Sequence, residues 1–137
     1  MKKNKWIWMP HPGHFICAKD CRFILNTYVG KYIVSTVGEY WPDSQVRKIF
    51  AYVRKVEIKG NGDEWDFNYR KQMPNNGFEE IGCDRLYETM VFRAEKSKEK
   101  CCPWVASSWS ELDFAGYMNA EDAYAGHIKL CKKWSKT

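Results

Sequence analysis

The sequence predicts a single α+β domain covering residues 1–137, in which an antiparallel sheet of four to five strands packs against two or more helices. Segments rich in β-branched and aromatic residues alternate with turn residues, which is typical of antiparallel strands. A helical pattern of apolar residues occupies the C-terminal end. Hydrophobic residues make up 45% of the chain and charged residues 28%, a balance that supports a buried core without disulfide bonds.

The first two strands are predicted at 22–28 and 32–38, where β-branched and aromatic residues dominate. The short segment 29–31 contains Gly30 and supplies the turn of an N-terminal β-hairpin. Pro42 ends the second strand, because proline has no N–H to donate to a sheet ladder.

The next segment, 44–59, fits two patterns. Its first half has apolar residues at helical spacing, namely Val46, Ile49, Phe50 and Val53. Its second half alternates apolar and charged residues, so we expect a helix or a turn followed by a short strand. After a turn at 60–62, Asp63 can cap a helix over 64–73 that Pro74 stops.

In the second half of the chain, strands are predicted at 78–81, 86–93 and 110–117, and the segment 94–109 is predicted to be an inserted loop. Asn119 then opens a C-terminal helix. One face of that helix carries Ala120, Ala123, His127, Leu130, Cys131 and Trp134.

The net charge of +5 favours anionic partners and excludes a DNA mimic, which needs dense negative charge. Residues 1–9 contain too few apolar residues for a signal peptide, and no later segment is long and apolar enough to span a membrane. We therefore expect a cytoplasmic protein whose six cysteines are thiols or metal ligands rather than disulfides.

A set of short motifs is spread over most of the chain outside 94–109. The motifs are Cys21-Arg22-Phe23, the run 32–39, Trp41-Pro42-Asp43, the run YETMVF at 87–92, Gly116-Tyr117, Glu121-x-Ala123 and Gly126-His127. Together they resemble small proteins that are common in phage and prophage genomes and have no assigned activity. The resemblance implies a virus-borne accessory protein that acts inside a bacterial host cell, where many such proteins counter host defences.

The densest group of metal-ligand residue types is His11, His14, Cys17 and Cys21, four side chains within eleven residues. Zinc is the ion that this chemistry favours, although the spacing is cramped unless a remote ligand replaces one of the four. The remote candidates are Cys101, Cys102, His127 and Cys131. The alternative is that no cofactor binds, that His14 makes a local hydrogen bond, and that Cys17 and Cys21 fill the core.

A second pair with chemical potential, His127 and Cys131, lies four residues apart on the C-terminal helix. The pair suits metal binding or nucleophilic catalysis, but its apolar surroundings predict a buried structural histidine. No Cys-x5-Arg phosphate loop, Walker motif or nucleophile elbow is present, so the sequence offers no complete catalytic site.

Aromatic and basic residues interleave in and after the hairpin. They are Tyr28, Tyr32, Tyr40, Trp41, Arg47 and Arg54. Such residues dominate interface hot spots and stacking surfaces, so we expect them to form a ligand- or partner-binding surface with Arg47 exposed.

Three functions follow from these features. The first is a non-enzymatic accessory protein that sequesters or inhibits a host factor, either a nucleotide-type anionic ligand or a defence protein. The second is a zinc-dependent enzyme built on the His11 cluster. The third is a nucleic-acid-binding accessory protein, which salt-dependent binding to random oligonucleotides would reveal.

Overall fold

The computed structural model describes residues 5–13 and 20–137. The elements in chain order are β1 (Trp6–Met9), β2 (Cys21–Val29), β3 (Tyr32–Tyr40), α1 (Ser44–Val53), α2 (Asp63–Gln72), β4 (Tyr87–Lys96), β5 (Trp104–Ala106), β6 (Asp113–Tyr117) and α3 (Ala120–Ser135). A 3-10 turn, Pro74–Gly77, follows α2. None of the helices in the described ranges is long and apolar enough to cross a bilayer.

The strands form one antiparallel sheet in the order β1-β2-β3-β4-β5, with β6 also paired to β4. One edge of β4 pairs with β3, and the other edge is shared by two short strands. The first half of β4 pairs with β6, and its last three residues pair with β5. The predicted α+β class is confirmed, with six strands and three helices in the described residues.

The predicted hairpin is confirmed as β2 and β3, whose ladder closes at the pair Val29 and Tyr32. Gly30 in the turn has a φ of 75°, a backbone conformation that glycine adopts without steric cost. The hairpin is longer than predicted at its open end, where β2 begins at Cys21 and β3 ends at Tyr40.

Two predicted strands are absent from the structure. The segment 56–59 is irregular, because Val56 and Ile58 pack against the helices α1 and α2 instead of pairing with a strand. The segment 78–81 contributes only an isolated bridge between Glu79 and Tyr40. In these two segments the alternation of apolar residues reflects packing against neighbouring side chains rather than hydrogen-bonded pairing with another strand.

Both faces of the sheet are covered, which explains why seven consecutive residues of β3 are buried. On one face the core contains Val29, Val34 and Val91 together with Leu130 and Cys131 of α3. On the other face the core contains Met9, Ile33, Phe92 and Cys102. The N-terminal segment and the β4–β5 connection therefore cover the face that α3 does not.

The C-terminal helix agrees with its prediction at both ends and along its buried face. The Asn119 side chain caps α3 by accepting a 2.8 Å hydrogen bond from the backbone N–H of Asp122. The buried residues of α3 are Ala123, His127, Leu130 and Cys131, all on the predicted face.

His127 is a structural residue, fully buried between α3 and the sheet. Its Nε2 lies 2.8 Å from Thr27 Oγ1 and its Nδ1 lies 2.6 Å from Thr36 Oγ1, which in turn lies 2.6 Å from Thr89 Oγ1. Burial lowers the pKa of His127 from 6.5 to about 4. A neutral imidazole with one donor and one acceptor nitrogen satisfies both threonine hydroxyls.

Candidate metal centre and recognition surfaces

His11, Cys101 and Cys102 form a group that can hold a metal ion. Their ligand atoms, one imidazole nitrogen and two Sγ atoms, all lie within 4.8 Å of one another. In a tetrahedral zinc site with bonds of about 2.3 Å to sulfur, ligand atoms are about 3.8 Å apart. Side-chain adjustments of about 1 Å would therefore close this group around one ion.

The sheet positions both His11 and the two cysteines of the group. His11 follows β1, and its backbone carbonyl accepts a 2.8 Å hydrogen bond from the Asn26 side chain on β2. Cys102 is buried just before β5, and the neighbouring Pro103 carbonyl accepts a 2.8 Å hydrogen bond from the Ser97 N–H. His11 thus lies 90 and 91 residues before the two cysteines in the sequence, and the sheet brings the two segments together.

The two neighbouring thiols interact with each other. A hydrogen bond between Cys101 and Cys102 raises the pKa of the Cys101 thiol, and desolvation and the nearby Glu99 carboxylate act in the same direction. These contacts disfavour the thiolate, which is the nucleophilic form of Cys101. The arrangement suits metal ligation better than covalent catalysis, because a bound cation favours the thiolate.

A cavity of about 310 Å³ opens beside the metal group. Its lining includes His11, Cys101, Cys102, Asn26, Trp104 and Trp109. Tyr28 stacks on Trp104 with ring centroids 4.1 Å apart and planes 4° from parallel, and Trp109 contacts Phe92 edge-on at 5.9 Å. The cavity walls are therefore aromatic and held in place by the sheet.

Only part of the predicted metal cluster lies in this group. His11 belongs to it, together with Cys101 and Cys102, which the sequence identified only as remote replacements. Cys21 is buried on β2 against Val37, as the core-filling alternative expected. His14 and Cys17 lie outside the described residues.

The other predicted thiol–imidazole pair has no catalytic character. Burial raises the pKa of Cys131 to about 12, and the side chain lies in the core beneath α3. His127 is held neutral by burial and bonded to two threonines, so neither side chain is available to a substrate.

The structure does not bring the six predicted binding residues into one surface. Tyr28 and Tyr32 lie beside the hairpin turn, whereas Tyr40 and Trp41 lie at the other end of the two strands. Tyr40 is eight positions after Tyr32 along β3, a distance of about 26 Å. Tyr32 is in the core against Trp134.

Arg47 is only 5% exposed, so the expectation that it lies on the surface is wrong. Its Nε donates a 2.9 Å hydrogen bond to the Pro42 carbonyl, and its Nη1 contacts Asp66 of α2 at 2.5 Å. The guanidinium carbon lies 4.4 Å from the centre of the Trp41 ring. Carbonyl, carboxylate and aromatic partners together make burial of this charge favourable, and they join α1 to α2.

Arg54, the last of the six, has both terminal nitrogens committed to Glu79, at 2.5 and 2.8 Å. Its side chain is 40% exposed, and the pair links the end of α1 to the segment after the 3-10 turn. Trp41, Arg47 and Arg54 thus hold the α1–α2 layer together rather than presenting a docking surface.

The sequence reasoning missed a group of exposed apolar residues on α1. Ile49, Tyr52 and Val53 are 59%, 84% and 68% exposed. The buried side of α1 is centred on Arg47 and Ala51, which leaves these three side chains facing outward. A signal was present, because apolar residues cover too wide an arc of α1 for all of them to be buried.

Comparisons with known proteins add no functional information. No protein-family model matches the chain, and neither a curated protein nor a solved structure matches it significantly. The functional argument therefore rests on the geometry of the sites themselves.

Proposed function

We propose that the protein is a non-enzymatic, phage-type accessory protein that acts in the cytoplasm of a bacterial host by binding an acidic host protein. Its contact surface is the α1 face, defined by Ile49, Tyr52 and Val53. The observation that carries the proposal is the exposure of these three large apolar side chains on one helix. Inhibition or sequestration of a host defence factor is the role that fits the phage resemblance.

The three side chains form one continuous patch. Ile49 is three residues before Tyr52 and four before Val53, and helix positions three and four apart are neighbours on the surface. Clustered exposed apolar side chains on a soluble protein mark interaction sites more often than isolated ones do. Tyr52 adds the amphipathic ring that is frequent in interface hot spots.

Contacts at the start and on the buried side of α1 hold the α1 face in place on the fold. The Asp43 side chain accepts hydrogen bonds from the backbone N–H groups of Gln45 and Val46, which fixes the start of α1. Arg47 and Ala51 then anchor the opposite side of the helix. Preorganisation of this kind lowers the conformational entropy cost of association.

The charge around the α1 face supports an acidic partner. Helix α1 contains no acidic residue and carries the exposed Lys48, while the exposed Lys55 and Lys59 follow its end by two and six residues. Glu57 is the one acidic residue among positions 44–59. An apolar patch on a helix whose only charged residues are basic fits a partner with an apolar groove and carboxylates around it, and complementary charge accelerates association.

A double substitution, Ile49→Ser with Tyr52→Ser, should weaken partner binding at least about 30-fold, because it removes the apolar centre of the interface. The measurement is binding to the acidic host protein that wild type retains on a column of host extract. The matched control is Tyr124→Ser, which removes a similarly exposed aromatic ring, 55% exposed, from α3. Both variants should keep the wild-type melting temperature, since the substituted side chains are exposed.

Equal retention of that protein by the double variant and wild type would contradict the proposal. Loss of binding in Tyr124→Ser alone would place the interface on α3. If the double variant instead loses affinity for random oligonucleotides, with a steep dependence on salt, the nucleic-acid alternative replaces the protein partner.

A zinc-dependent function is the second candidate, favoured by the His11, Cys101 and Cys102 group. Catalytic zinc sites use three protein ligands and keep one coordination position open. The Glu99 carboxylate lines the same cavity and would be the candidate general base there, where a bound zinc would supply Lewis-acid activation of water. Elemental analysis of protein purified from host cells tests this candidate: it requires stoichiometric zinc.

A further inference from the structure

We infer that His11, Cys101 and Cys102, the three ligands found within residues 5–13 and 20–137, bind one zinc ion, and that the fourth coordination position opens into the aromatic cavity and accepts a small donor such as a thiol or an imidazole. The inference rests on the zinc proposal above and adds the coordination of the ion and the class of ligand that completes it. It is independent of the α1 face.

The ligand set itself selects the ion. Two thiolates and one imidazole suit a thiophilic divalent cation, and zinc is the one that tetrahedral sulfur–nitrogen sites most often hold. Oxygen-preferring ions such as Mg²⁺ and Ca²⁺ are disfavoured by the same set. Cys102 is buried while His11 and Cys101 are exposed, so the group lies at the protein surface where an ion can enter.

An ion at this position would hold the two segments that cover the second face of the sheet. His11 belongs to the segment after β1, and the cysteines belong to the β4–β5 connection. The Asn26 hydrogen bond to the His11 carbonyl already fixes the first segment on β2. The ion therefore fastens two parts that the fold has already placed together, which keeps the ordering cost of binding low.

The open position follows from the cavity. All three ligands lie on its wall, together with Trp104 and Trp109. Asn26 is only 4% exposed, and its Oδ1 has no hydrogen-bond partner among the described residues. A buried acceptor that no described residue bonds, on the wall of the same cavity as the three ligands, is suited to a donor group on a bound molecule. A ligand with one metal-binding atom and a flat apolar body fits these walls.

The test uses the full-length protein, stripped of metal and titrated with Co²⁺, which reports zinc-type coordination by its visible and near-ultraviolet absorption. We expect one Co²⁺ per chain with thiolate charge-transfer bands. Cys101→Ser, Cys102→Ser and His11→Ala should each lower the affinity at least about 100-fold. Cys83→Ser is the control, because Cys83 is an exposed free thiol outside the group. Addition of imidazole or 2-mercaptoethanol should then shift the visible bands and quench or enhance tryptophan fluorescence.

The outcomes separate the inference from the zinc proposal. Absence of stoichiometric metal, or full affinity in His11→Ala or in either cysteine variant, overturns both. Stoichiometric metal whose spectrum does not respond to imidazole or thiol overturns the open position alone and indicates a closed four-ligand site. Partner binding by the α1 face is unaffected in every case.

Discussion

Replacing Arg47 with Ala should lower the free energy of unfolding by about 3 kcal/mol, although an arginine on a short surface helix is usually dispensable. The substitution removes the hydrogen bond to the Pro42 carbonyl, the ion pair with Asp66 and the stacking on Trp41. It also leaves a space between α1 and α2 that the rest of the layer cannot easily fill.

Arg54→Ala is the matched control, because it removes an arginine from the end of the same helix. Its partner Glu79 is well placed, but the Arg54 side chain is 40% exposed, so the expected loss is below about 1 kcal/mol. Denaturant unfolding gives both values, and amide hydrogen exchange should show the loss concentrated in α1 and α2. Equal effects of the two substitutions would mean that the buried contacts of Arg47 contribute little.

Acidification should destabilise the protein by about 3 kcal/mol through His127 alone, between pH 6.5 and pH 4. The folded state holds the pKa of His127 at about 4, whereas the unfolded chain protonates it near 6.5. Below pH 6.5 the unfolded state therefore binds more protons than the folded state. The free energy of unfolding falls as the pH is lowered, until the native histidine also protonates near pH 4. One pKa unit corresponds to about 1.4 kcal/mol, which sets the size of the loss.

The control for this prediction is His127→Ala, which removes the titrating group. The variant should be about 2–4 kcal/mol less stable than wild type at pH 7.5, because Thr27 and Thr36 lose their hydrogen bonds to the imidazole and a cavity opens under α3. Its stability should then change less than that of wild type between pH 6.5 and 4. Parallel pH profiles for the two proteins would show that another group is responsible.

The elements with clear periodicity were predictable from the sequence. The hairpin has a glycine turn between two β-branched segments, and α3 has a capping asparagine followed by one apolar face, so local patterns determine both. Strands β1 and β5 were not predicted, since Trp6–Met9 and Trp104–Ala106 have only four and three residues. Strands this short depend on the neighbours with which they pair.

The functional surfaces were predictable only in part, for physical reasons. Sequence spacing identified His11 as a candidate metal ligand, but its proximity to Cys101 and Cys102 depends on how β1, β4 and β5 pair with the rest of the sheet. Arg47 was expected to be exposed because charged side chains usually are. Its burial depends on partners from α2 and Pro42 that no local pattern reveals. That burial in turn rotates Ile49, Tyr52 and Val53 outward.

The most direct measurement of the proposed function is site-specific photo-cross-linking in host cells. A photoreactive phenylalanine analogue placed at position 52, on the α1 face, should give one dominant adduct with an acidic host protein, because Tyr52 is 84% exposed at the centre of the proposed interface. The same analogue at position 124 on α3 should give none. Adducts at position 124 but not at 52, or only nucleic-acid adducts at 52, would contradict the account.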